Sequence, residues 1–202
     1  MEMPDPIGKK LIYTIGHSNH SLENFFSLLE KAQIDVLVDV RTNPFTRYSV
    51  HFNHDPLKIA MQNGGLKYLF LGRALGGKPK EEGFYDSDGY LLYDRLAQSA
   101  RFKAGIERLH KGLQRYNIVL MCGEENPACC HRRLLIGRVL ADTGISVVHI
   151  RGNGEFQSEQ DLLDQESAIA DSARQLTLFA DAPSKKPWRS AKPKTLSQQF
   201  SD

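Results

Sequence analysis

The chain has 202 residues, 41% of them hydrophobic and 25% charged, with a formal net charge of +2. That length and composition support one domain with its own core; no apolar run approaches a membrane span, and the amino-terminal residues carry no apolar h-region. Three cysteines, two of them adjacent, do not make a disulfide framework, so the expected setting is a reducing cytoplasm with no membrane partner.

Leu11-Ile-Tyr-Thr-Ile15 reads as a strand stopped by Gly16-His17-Ser18-Asn19. Ser21 then caps a helix carrying Leu22, Phe25, Phe26 and Leu29 at helical spacing. Val36-Leu-Val-Asp-Val40 is the next strand, which makes residues 11–40 a right-handed crossover between parallel strands. Beyond the loop from Arg41 to Ser49, the pattern predicts a short helix over 55–63, a strand over Leu66–Phe70 and an exposed, charged, glycine-rich loop over 78–89. Helices follow over about 90–99 and 101–115, then a strand at 118–121 with its own helix, a strand over Ser146–Ile150 and a helical pattern over about 158–174. Together these predict a single three-layer α/β domain over 1–154, with a mainly parallel sheet of about five strands. Residues 155–181 form an acidic helical segment, with seven acids against one arginine. From Ala182 to the end, proline, lysine and serine dominate without periodicity, which predicts a basic, disordered tail.

The chemistry concentrates in one strand-to-helix loop. Ile118-Val-Leu-Met121 empties into Cys122-Gly-Glu-Glu-Asn-Pro-Ala-Cys-Cys-His131-Arg132-Arg133, so all three cysteines sit beside a histidine, two glutamates and two arginines. Packing alone does not require that mixture. Asn126 is a good N-cap and Pro127 suits the first helical position, which places Cys130, His131 and Arg132 in or just after the first turn. Free backbone N–H groups and the helix dipole favour an anion there and acidify a nearby thiol. In a parallel sheet, Gly16-His17-Ser18, Arg41 through Arg47, Gly72 through Gly77, Cys122 through Arg132 and His149 through Arg151 all fall at the same carboxyl edge, where open α/β folds bind ligands. His17, Arg41, Arg47, Glu124 and Arg132 are therefore expected around one pocket.

Thr14-Ile-Gly-His-Ser18, Asp39-Val-Arg41 with Asn43-Pro44 and Arg47, Leu75-Gly-Gly77, and Cys122-x-Glu124 with Cys130-His-Arg132 resemble the domain-of-unknown-function 488 family. The likeness spans about residues 11–152, with the motifs in order. Cys129 looks like an addition to the signature, and Thr46 stands where it commonly has serine. The resemblance implies the fold but brings little mechanism, since the family carries no assigned activity. A looser likeness links Asp39-Val-Arg41 and the later cysteine loop to rhodanese and related phosphatase-like domains. It breaks where those enzymes wrap a tight anion cradle, because a proline-containing excursion separates Cys122 from Arg132.

Three chemistries remain open. In the first, an enzyme acts on a nucleic acid or nucleotide-like anion, with Cys122, Glu124, Cys130 and His131 as catalytic candidates. His17, Ser18, Arg41, Arg47 and Arg132 then hold the substrate's oxygens. In the second, Cys122, Cys130 and His131 bind a metal such as zinc. Against it, there is no Cys-x-x-Cys pair and neighbours on a helix point in different directions, so no residue is assigned as a ligand and the cofactor stays unknown. In the third, the domain is a non-catalytic anion-binding or regulatory module.

Gln175-Leu-Thr-Leu-Phe179 closely resembles the pentapeptide by which bacterial replication and repair proteins dock on the DNA sliding clamp. Gln175 would set the register, while Leu176, Leu178 and Phe179 supply apolar contacts, with Leu178 and Phe179 entering a pocket. The clamp is the expected partner. Nucleic acid is a further one, suited to the five bases against one acid in residues 183–202.

Overall fold

The structure, a computed structural model, describes residues 10–175 and 187–194. The first strand, β1 (Leu11–Gly16), turns Ile12 to one face and Tyr13 and Ile15 to the other, so both faces demand cover. Ser21 accepts a hydrogen bond from Asn24 N at 3.2 Å and starts α1 (Leu22–Lys31). This helix buries Phe25, Leu28 and Leu29, each worth roughly 1.5–3 kcal/mol of apolar burial.

The chain continues through β2 (Val36–Asp39), α2 (His54–Asn63), β3 (Lys67–Phe70), a single turn α3 (Gly72–Leu75), α4 (Tyr93–Gln98) and α5 (Ala100–Gly112). Next come β4 (Ile118–Cys122), a π-helical stretch Arg132–Gly137 running into α6 (Arg138–Ala141), β5 (Ser146–Ile150), β6 (Phe156–Ser158) and α7 (Glu159–Gln175). The sheet order is β3-β2-β4-β1-β5-β6; all pairs are parallel except β5–β6. One face carries α1 and α2 over Tyr13, Ile15, Leu37, Val119 and Met121. The other carries α3 to α6 over Ile12, Val36, Val38, Leu120 and Val147. The three-layer α/β architecture is as expected, and β6 is the strand that sequence periodicity missed.

Three differences have physical causes. First, β6 pairs with β5, and α7 buries Leu162 and offers Glu159 and Glu166 to the buried Arg133, so the packed unit runs beyond residue 154. Second, the helix expected from Pro127 is broken. Asn126 does cap, accepting from Ala128 N at 3.0 Å, but only a single 3-10 turn, Pro127–Cys129, follows. Cys130 then takes an extended backbone (φ −110°, ψ 138°), and the π-helical stretch starts afresh after His131. Third, residues 187–194, inside the stretch read as a disordered tail, lie against the domain. Trp188 donates its indole N–H to Leu134 O at 2.7 Å, packs edge-on to Tyr93 and sits under the Arg138 guanidinium. Arg189 pairs with Asp86, and Lys194 reaches Glu82. One aromatic anchor with three polar ties outweighs the composition around it.

Candidate thiol–imidazole site at the strand ends

The chain leaves β1 through α1 on one face of the sheet and leaves β4 toward α6 on the other, although β1 and β4 are neighbours. Such a divergence opens a crevice at the carboxyl ends. Here the chain fills it: His17 N donates to Cys122 O at 2.9 Å and Ser18 N to Gly123 O at 3.0 Å, which laces the two strand ends together. A Cβ on Gly16 would lie 2.0 Å from Glu124 O, so only glycine lets the β4 loop press this close. Arg132 holds that loop from below. Its side chain is fully buried; Nη1 donates to Glu124 O, Nη2 to Glu125 O at 2.6 Å, and Nε to Thr14 Oγ1 at 3.3 Å.

Above Arg132 sit the thiols. His131 Nε2 lies 3.1 Å from Val40 O, and a carbonyl only accepts, so Nε2 carries a hydrogen. Nδ1 is thereby left for sulfur, 3.8 Å from Cys122 Sγ and 3.9 Å from Cys130 Sγ. A Cβ on Gly77 would meet His131 Cγ at 2.5 Å, which accounts for a glycine where the loop after α3 closes over the imidazole. Cys122 is 8% exposed and Cys130 2%. The hydrogen bond from the Cys122 thiol, helped by His131 and the Arg132 charge, holds Cys130 well below an ordinary thiol. The same bond, together with burial, pushes Cys122 up. Tyr93, buried nearby, is raised by desolvation and by both sulfurs.

On the opposite face lies a second polar cluster. The Asp39 carboxylate accepts from Arg41 N (3.1 Å), Arg41 Nε (2.9 Å), Arg41 Nη2 (2.6 Å) and the Tyr68 hydroxyl (2.8 Å). Arg41 also donates to Phe52 O at 2.7 Å and meets His17 Nε2 at 3.1 Å. His17 stacks on Phe52 with ring centroids 4.5 Å apart, and its Nδ1 faces Ser18 O at 2.9 Å. Burial and the Arg41 charge lower His17 to about 4, so it is neutral near pH 7 and accepts from Arg41. Desolvation and the adjacent Asp39 raise the Tyr68 hydroxyl.

Thr14 and His149 complete the interior. Thr14 Oγ1 is 2.7 Å from His149 Nδ1, and His149 Nε2 is 3.0 Å from Glu159 Oε2. Hydroxyl, imidazole and carboxylate stand in triad order, with Thr14 and His149 both fully buried and Glu159 only partly so. Burial lowers His149, and its bond to Glu159 opposes that shift.

The structure thus draws together Cys122, Cys130 and His131 on one face and His17 with Arg41 on the other, while Arg132 supports the loop between them. It does not place His17, Arg41, Arg47, Glu124 and Arg132 around one pocket. One cleft, of about 390 Å³, is lined by Asn43, Pro44, Phe45, Asn53, His54, Asp55 and Pro56. Glu124 and Arg47 are exposed, Ser18 is half-buried with its hydroxyl on Asn19, and Cys129 is exposed. Beside Arg47, Tyr48 is 97% exposed and Phe45 65%. Gln175 is the last residue of α7, and Leu176, Leu178 and Phe179 lie outside the described residues. Sequence reasoning left Val40 O and Tyr68 without a site role; neither carries a local signal, since a backbone carbonyl and a strand tyrosine are everywhere.

What the fold and this cluster define is an open α/β domain with a buried thiol–imidazole centre where its topology diverges. A family model, Domain of unknown function DUF488, matches residues 21–139, more than half of the chain, and the chain belongs to that family. The match covers β2 and β4 with the whole loop from Cys122 to Arg132, and stops short of the β1 motif. No curated protein sequence matches the chain.

Proposed function

We propose that this protein is an enzyme acting on a nucleic acid or nucleotide-like anion at the carboxyl ends of β1, β2 and β4. The observation that carries the reading is the aim of His131. Its Nε2 is engaged by Val40 O and its Nδ1 faces two thiols, the arrangement that activates a sulfur or a bound group. Arg41 and Arg132 are engaged inside the protein and serve as positioning residues. Substrate contact falls to the rim, where exposed Arg47 stands beside Tyr48 and Phe45, a cation with two π-faces suited to phosphate and base. Exposed Glu124 is the acid–base candidate at the mouth of the loop.

Single-turnover reactions on labelled single-stranded oligonucleotides and nucleotides test this. Wild type gives product; Cys130→Ala and Cys122→Ala lose at least roughly 100-fold, and Glu124→Gln loses roughly 100-fold or more. Binding with no product from any of these substrates would assign the domain to the non-catalytic, anion-binding class instead.

Recruitment to DNA through Gln175, Leu176, Leu178 and Phe179 is the second part of the proposal, supported by the peptide's likeness to clamp-docking motifs. Burying one such apolar side chain in a partner is worth roughly 1.5–3 kcal/mol, a ten-fold or larger change in affinity. Leu178→Ala with Phe179→Ala is expected to abolish binding to a bacterial sliding clamp and leave the thermal melt nearly unchanged. A wild-type protein that does not bind the clamp removes the DNA link.

A further inference from the structure

We propose that Cys122, Cys130 and His131 form a binding site for one zinc-class metal ion, with a coordination position left for water or a substrate oxygen. A tetrahedral zinc ion, at about 2.3 Å from sulfur and about 2.0 Å from nitrogen, holds a sulfur and a nitrogen ligand about 3.5 Å apart. The two sulfur–Nδ1 separations here are 3.8 and 3.9 Å, and all three donor atoms lie within 4.8 Å of one another. Closing on an ion therefore needs movements of about 0.3–0.4 Å along each sulfur–nitrogen edge and at most about 1 Å along the sulfur–sulfur edge, which a tetrahedral ion holds at about 3.8 Å.

Three further features belong to a built site. Val40 O orients the imidazole through Nε2, the kind of outer hydrogen bond that metal-bound histidines make. Gly77 admits the ring where any side chain would displace it. The extended backbone at Cys130 separates the 3-10 turn from the π-helical stretch, so Cys130 and His131 turn their side chains to the same point. Sequence neighbours on a continuous helix could not do this. Among the described residues no fourth histidine, cysteine or carboxylate joins the group. Two thiolates and an imidazole with an open position are the donor set of a catalytic zinc rather than of a closed structural one.

The inference rests on the same centre as the proposed activity, but its test needs no substrate. Reduced, metal-free full-length protein is titrated with Co²⁺ and its absorption recorded. One equivalent is expected to produce thiolate-to-cobalt charge transfer together with the intense visible bands of a tetrahedral site, and Zn²⁺ to abolish both. Zinc absorption-edge fine structure on the wild type should show two sulfurs at about 2.3 Å and nitrogen or oxygen at about 2.0 Å. Cys122→Ser, Cys130→Ser and His131→Ala should each weaken binding at least roughly 100-fold, since even outer-sphere changes cost 10–100-fold. Cys129→Ser, removing the exposed thiol, should change nothing. Where a buried variant fails to fold, the wild-type spectra decide. No charge-transfer band, a sulfur count other than two, or a site lost with Cys129→Ser would overturn the inference. Metal bound as described with no turnover of any substrate would leave it standing while overturning the catalytic reading.

Discussion

Arg132 offers the sharpest test of how the site is built, because sequence and structure assign it different work. As a substrate ligand it would be dispensable to the fold; as drawn, it is among the largest fully buried side chains and its guanidinium is taken up by Glu124 O, Glu125 O and Thr14 Oγ1. Arg132→Met keeps the volume and removes the fork. A hydrogen bond from a charged donor contributes about 1.5–3 kcal/mol, so two loop carbonyls represent about 3–6 kcal/mol. Water recovers part of this, since Glu124 is exposed and Glu125 half-buried, and the variant is spared the desolvation of a charge. A net loss of about 2–4 kcal/mol remains. For a chain of this size that lowers Tm by roughly 4–16 °C. Urea unfolding at pH 7 is the assay, with Arg132→Lys alongside: an ammonium retains the charge but cannot span three separated acceptors, so less than half of the loss should return. A variant within about 0.5 kcal/mol of wild type, or full rescue by lysine, would refute the reasoning.

Two other outcomes follow from the geometry. His17 has a folded pKa of about 4 against 6.5 in its free state, so the unfolded chain takes up the proton first; its contribution is intact above pH 6.5 and falls as the pH drops toward 4, by roughly 3 kcal/mol at most. Urea unfolding at pH 7 and pH 4 should show that loss in the wild type and a flatter dependence in His17→Gln, which keeps an acceptor for Arg41. Trp188→Ala removes an indole hydrogen bond, an edge contact with Tyr93 and a stacked guanidinium, and should cost about 2–3 kcal/mol in thermal unfolding, a full core-tryptophan loss discounted for its half-burial.

The first five strands, their parallel pairing and the placement of the Cys122–Arg132 loop at the end of β4 were legible because they rest on local patterns: apolar runs of strand length, Ser21 and Asn126 as caps, glycines at strand ends. What lay hidden was partnership. An arginine at a strand end looks the same whether it awaits a phosphate or is saturated, and Arg41 is saturated by Asp39, Phe52 O and His17, which come from three segments. The break at Cys130 was equally invisible, since no residue type there demands an extended backbone; tertiary burial of the thiol imposes it. β6 is three residues long, too short for alternation to register. Trp188 was masked by the prolines and lysines around it.

Residues 187–194 change what a chain boundary means in this protein. A truncation drawn on composition, at 154 or at 181, would not trim an appendage. It would strip the indole from Tyr93 and Leu134 O, release Asp86 and Glu82 from their cations, and leave Leu91 O and Tyr93 N without their backbone partners and open to water. In sequence, the peptide at 175–179 falls between two segments that lie against the domain, α7 before it and the Trp188 anchor after it. The proposed docking is therefore best tested by point substitution in the intact chain, because deletion would confound any loss of clamp binding with loss of a fastening.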